Sequence, residues 1–217
     1  MTRHLPTYIF ILTFFVACGQ STKPKISNDS IPTTLEISNG KDNYEYFSIV
    51  DTNYTIYKLP KNFEKPNKWK EEDKKRSAKY YVGYGNSYSN TFDLKNALSY
   101  IDTAKEFSQV CSVKSWCIDN YEQVFPFLVV KLSDKRKIGL TNTADLIIGD
   151  RMNTGDLKFY GHGGGMTEDI FTIAGRASWI LNELTGEDFA IVHGNLTQQD
   201  AKWFKVLWAK YIDKLKK

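Results

Sequence analysis

Phe125-Pro126-Phe127-Leu128-Val129-Val130-Lys131-Leu132, followed by Ser133-Asp134-Lys135-Arg136-Lys137-Ile138-Gly139-Leu140, is the stretch on which the fold class turns. A compact apolar run closed by turn formers has the length and composition of a buried strand. Ser133-Asp134-Lys135 then turns the chain toward Lys137–Leu140, so the stretch reads as a β-hairpin. Upstream, YEYFSIV and YTIYKL flank Asp51-Thr52-Asn53 within Tyr44–Leu59. Two runs rich in β-branched and aromatic residues around turn formers read as another hairpin. Shorter strands are expected at Lys79–Tyr84, Leu157–Tyr160 and Phe189–Val192, while Ala144–Ile148 fits either a strand or a helical turn.

Between these runs the apolar period changes to that of a helix. Leu94, Ala97, Leu98, Ile101, Ala104 and Phe107 recur at helical spacing, with Asn90 or Thr91 available as a cap. A helix starting near Thr167 is expected to carry Ile170, Phe171, Ala174, Ala177, Ile180, Leu181 and Leu184 on its apolar side and to stop at Gly186. In the last helix Thr197 and Asp200 have the spacing of a capping box, and Phe204, Leu207, Trp208, Tyr211 and Leu215 share one face. Mixed strands and helices give an α+β class: a single domain with two β-hairpins and about three amphipathic helices.

Residues 1–17 stand apart from this domain. Arg3 gives a basic flank, Tyr8–Val16 an apolar core, and Phe15-Val16-Ala17-Cys18 ends in a small residue before cysteine. The apolar stretch is about half of the roughly 20 residues that a membrane-spanning helix needs. The pattern resembles a bacterial lipoprotein signal peptide. That resemblance implies cleavage before Cys18, acylation of Cys18 with fatty acids such as palmitate, and a lipid bilayer as the partner that holds the mature chain. Gly19 and Gln20 follow where an inner-membrane retention signal would place Asp, which implies the outer membrane facing the periplasm.

Residues 18–42 are rich in Ser, Thr, Asn, Pro and Lys, and read as a lipidated cysteine with a flexible tether reaching on the order of 25 Å. Residues 43–217 form the expected globular domain, long enough for one full-sized core. The whole chain has 29 Lys and Arg against 25 Asp and Glu, and removing Arg3 with the leader leaves 28 against 25. An excess of +3 is far below what phosphate-backbone binding demands, so nucleic acid is not an expected partner. Lys61–Arg76 carries seven basic and four acidic residues without a repeating apolar face, and reads as a solvated charged loop.

Cys111 and Cys117 remain once Cys18 is assigned. In an oxidising compartment such a pair is expected to bond, with two separately buried thiols as the alternative. Six residues of continuous helix would turn the side chains roughly 240° apart, so a disulfide requires a turn within Ser112–Trp116.

Catalytic signatures are sparse. His162-Gly163-Gly164-Gly165 resembles the HGGG oxyanion loop of esterases and lipases, but no G-x-S-x-G nucleophile elbow occurs in the chain, and no catalytic residue is carried over. His162 and His193, each next to a glycine, together with Asp150 and Asp156, are the candidates for a metal site or acid/base pair. No cofactor motif is present. The leading expectation is a membrane-anchored binding or interaction module, including an immunity-type role against a toxin, acting on an envelope protein or an extracellular ligand. The alternative is a small envelope hydrolase or metal-dependent enzyme using His162 and His193.

Overall fold

The computed structural model describes residues 41–66, 92–141, 146–157 and 164–217. Residues Ile31–Lys217 form one compact unit. Among the described residues the elements are α1 (Lys41–Thr52), a 3₁₀ turn (Tyr54–Tyr57), α2 (Leu94–Thr103), α3 (Phe107–Asp119), α4 (Tyr121–Lys131), β1 (Leu146–Ile148), α5 (Gly149–Asn153), β2 (Gly164–Met166), α6 (Ile173–Thr185) and α7 (Gln198–Leu215). Among the described residues the paired strands are β1 and β2, which run parallel with Ile147 opposite Gly165. The fold is therefore mostly helical, and the expected α+β class with two hairpins is overturned.

Both hairpins fail because the two apolar runs are helices whose buried faces pack on other helices, which outweighs their strand-forming composition. In Val124–Leu132, Val124, Phe125, Leu128 and Val129 are fully buried while Val130 is exposed, a helical pattern. α4 holds despite Pro126 in its interior, which removes a backbone donor, because these side chains pack against α6 and α7. The chain turns at Leu132–Ser133, as the end of α4, rather than at Ser133–Lys135, and beyond it does not return to α4. Instead Ile138 and Gly139 donate their N–H groups to Phe171 O at 2.8 and 3.0 Å, and Lys137 bridges Thr172. In the other hairpin, the YEYFSIV run is α1. Tyr46 donates its hydroxyl to Asp213 at 2.6 Å, Phe47 lies 6.1 Å from the Trp203 ring, and Val50 is buried. Packing against α7 overrides strand propensity here. Asn53, expected in the turn, caps the 3₁₀ segment by accepting the Thr55 N–H.

The remaining elements show smaller shifts. The helix expected over Phe92–Phe107 is α2, capped by Asp93 accepting from Asn96 N at 2.7 Å; Phe107 opens α3 instead. α3 runs unbroken through Cys111 and Cys117, so the turn that a disulfide needs is absent and both thiols are free. α6 starts at Ile173, later than Thr167, because Thr172 accepts from Gly175 N and caps it, while Gly186 closes it at φ +76°. α7 carries the capping box read from Thr197 and Asp200, with reciprocal bonds of 2.9 and 3.0 Å. Phe189, Ala190 and Val192 are buried as expected of a strand, yet no strand forms. The Ser178 hydroxyl of α6 donates to Ala190 O at 2.8 Å and accepts from Val192 N at 3.1 Å, replacing a neighbouring strand. Lys79–Tyr84 and residues 158–160 lie outside the described residues.

α6 is the centre of the molecule. Every residue from Ile173 to Asn182 is buried, with α2, α3 and α4 packed around it. A larger apolar cluster joins it to α4 and α7, and a smaller one joins Trp179, Ile170 and Phe171 to Leu146, Ile148 and Leu157. Arg176, on the same helix, is fully buried. Its Nε donates to Ile170 O at 2.9 Å, Nη1 to Ile101 O at 2.8 Å and Nη2 to Gly139 O at 3.1 Å. One guanidinium thus pins three chain segments, including the one that leads into the site below.

Candidate functional site

β1 alternates buried, half-buried and buried residues, as a strand with one covered face must. Leu146 and Ile148, with Met166 of β2, face the smaller apolar cluster. Ile147 and its register partner Gly165 share the opposite, outer face. There a cleft of about 520 Å³ is lined by Ile147, Ile148, Gly149, Gly165, Met166, Thr167 and His193. A side chain added at Gly149 or at Gly165 would meet nothing within 4 Å. Among the described residues, the polar side chains of the lining are the Thr167 hydroxyl and the His193 imidazole.

Behind the cleft, Thr167 leads into Glu168 and Asp169, both buried. They were expected in the first turn of a helix; they lie instead in an irregular segment before Thr172. Asp169 N donates to Val192 O at 2.9 Å, which places this segment against the one that carries His193. Asp169 takes both Nε (2.8 Å) and Nη2 of Arg151, while Arg151 Nη1 donates to Asp156 Oδ2 at 3.1 Å. Asp156 also accepts from Lys137 Nζ at 2.7 Å and Thr154 Oγ1 at 2.9 Å. Asn182 Nδ2 donates to Glu168 Oε1 at 2.9 Å.

The electrostatics follow from these contacts. The Lys137 ammonium, then Thr154 and Arg151, pull the Asp156 carboxyl down from 3.8 to about 2. Asp169 holds the Arg151 guanidinium above its ordinary value. Asp156 is thus an ionised acceptor whose Oδ2 takes all three of these bonds, not a poised base. Because its folded value lies below the unfolded one, the stability it contributes is present above about pH 4 and is lost as pH falls toward 2. Asp156→Asn is expected to flatten the acid limb of the stability curve in that window, read by urea unfolding at stepped pH.

Of the sequence candidates, His193 lines the cleft. Asp156 belongs to the ion-pair network and not to the lining. Asp150 lies in α5. His162 and Cys18 lie outside the described residues. Cys111 is half-buried and Cys117 fully buried on α3, and burial raises both thiols above their ordinary value. Among the described residues there is no group of three His, Cys, Asp or Glu side chains able to hold a metal ion, and no helix is long and apolar enough to cross a membrane. Arg151, Asp169 and Thr167 carry no sequence motif that points to the site, and Gly164 and Gly165 lie in β2. The β-branched pair Ile147-Ile148 is the available sequence signal for β1.

No protein-family model, curated protein or solved structure matches the chain.

Proposed function

We propose that the chain is an envelope lipoprotein, anchored through an acylated Cys18 and facing the periplasm, whose folded domain is a binding module for another envelope protein or an extracellular ligand. An immunity-type blocker of a toxin is one form of that role. The cleft on the outer face of β1 and β2 carries the reading. Its volume falls within the range of ligand sites, about 300–1,000 Å³. Among the described residues its lining is apolar side chain and backbone with two polar side chains, Thr167 and His193, a composition suited to holding a group in place. The neighbouring carboxylates Asp156 and Asp169 are held by Arg151.

A second reading, a small envelope hydrolase or metal-dependent enzyme using His162 and His193, draws on the presence of His193 in the cleft. It requires activity that disappears in His193→Ala.

Two experiments on the full chain in cells test the proposal. Metabolic labelling with an alkynyl palmitate is expected to mark the wild type and not Cys18→Ser, and an unlabelled wild type sinks the anchoring half. A photo-crosslinking amino acid at Gly165 is expected to trap a partner that the same group at exposed Lys135 does not. Equal adducts at both positions, or none at Gly165, sink the binding half.

A further inference from the structure

The run from β1 through α5 to Leu157 is built differently from the helices around it. Leu146, Ile148 and Leu157 bury their side chains in the smaller apolar cluster and not in the larger one. α5 is a little over one turn, too short to hold its shape alone, and Gly149 and Asn153–Asp156 are exposed. Two backbone bonds close the run on itself, Gly155 N donating to Met152 O at 3.1 Å and Leu157 N to Arg151 O at 3.0 Å. Its charges reach outward. Arg151 gives Nε and Nη2 to the buried Asp169 and Nη1 to Asp156, and Asp156 accepts from Lys137 Nζ. The ion chain Lys137–Asp156–Arg151–Asp169 thus ties the run to two anchored segments. Beside Lys137, Arg136 O accepts from Ile173 N at 3.2 Å and Ile138 N donates to Phe171 O; Asp169 N donates to Val192 O. Both segments adjoin the start of α6, whose residues Ile173 to Asn182 are buried.

A region with few buried apolar groups and exposed backbone opens at a lower free energy than the whole molecule. Separating a buried ion pair is costly because it leaves a charge uncompensated, so here the ions set the cost of opening. Ile147, Ile148 and Gly149, which line the cleft, ride on the same run. We propose that residues 146–157 are a strap that opens as a unit while α6 stays folded, that Arg151 is its latch, and that opening dismantles one wall of the cleft. The last part rests on the cleft being the binding site of the module; the opening itself does not.

Amide hydrogen exchange of the full chain, read by NMR, tests the strap. In the wild type the amides of Gly155 and Leu157 and the paired amides of β1 are expected to exchange at a common rate, about tenfold or more faster than those of Ile173–Asn182. Lys137→Met removes the outer end of the ion chain from an exposed position, and is expected to speed the strap about threefold with α6 unchanged. Arg151→Met combined with Asp169→Asn removes the latch without leaving a carboxylate buried alone, and is expected to speed the strap about tenfold or more with a smaller change in α6. Should the double variant not fold, Lys137→Met alone decides. Exchange of strap and α6 together in the wild type, unrelated rates within the strap, or variants that leave the strap unchanged or speed α6 by the same factor overturn the proposal. The wall is tested by the crosslinker at Gly165, whose adduct is expected to fall in the double variant; an unchanged adduct overturns that part. If no adduct forms in the wild type while the strap exchanges as expected, the binding reading falls and the latch stands.

Discussion

Gly175→Ala is expected to destabilise the fold by about 3 kcal/mol or more, the opposite of the result for an ordinary helix. In an exposed helix interior alanine is favoured over glycine by up to about 1 kcal/mol. At Gly175 a Cβ would run into the backbone carbonyl of Asp169 and come within 3.0 Å of Thr172 Oγ1. The obstacle is backbone, and it cannot rotate away. Asp169 is held by Val192 O through its amide and by Arg151 through its carboxylate; Thr172 is the cap of α6. Relief must come from moving the helix start or the segment behind the cleft, and overpacking of this kind costs about 1–3 kcal/mol or more. Denaturant unfolding of the variant reads the sign directly. A stabilised Gly175→Ala protein would mean that α6 does not approach Asp169 as described.

Arg176→Met is expected to cost about 3 kcal/mol. Two opposing terms set that figure. Hydrogen bonds from a charged donor contribute about 1.5–3 kcal/mol each, and the guanidinium makes three, to Ile101, Gly139 and Ile170 carbonyls. Against them stands the desolvation of a fully buried cation, which pulls the Arg176 guanidinium down to about 10. At neutral pH the group remains charged, so the carbonyls must compensate for the missing water. Methionine relieves the desolvation but leaves carbonyls buried without donors, and that loss dominates. Arg176→Lys is expected to fare little better, since one ammonium cannot reproduce a planar fork aimed at three segments. Equal midpoints for wild type and Arg176→Met in guanidinium chloride would show that the two terms cancel.

The parts of the fold legible in the sequence were those with local punctuation. Thr197 and Asp200 gave the start of α7, and Gly186 the end of α6, because caps and left-handed stops are properties of a few adjacent residues. α1 and α4 were misread because their aromatic and β-branched residues favour strands locally, and only the partners Trp203 and Asp213, more than 150 residues from α1, make the helix worthwhile. α3 was hidden by its cysteines, whose spacing suggested a cross-linked loop. At the site, His193 could be singled out by residue type. The bonding of Arg151 to Asp169, 18 residues apart, could not, because it depends on how α5 and the segment before α6 meet. Nor could the place of Gly165 in β2, since a turn glycine and a strand glycine are the same letter until a register is known.

The burial of α6 on every side has a consequence for how the molecule opens. A helix with one wet face can exchange its amide hydrogens through small local fluctuations, but the amides of Ile173–Asn182 reach solvent only when the surrounding helices separate. Their exchange should therefore follow global unfolding, while α1 and the last turn of α7 fray far sooner. Because α6 meets α2, α3 and α4 across long stretches of chain, assembly around it closes large loops before contact is rewarded. That predicts slower folding than a bundle built from sequential neighbours.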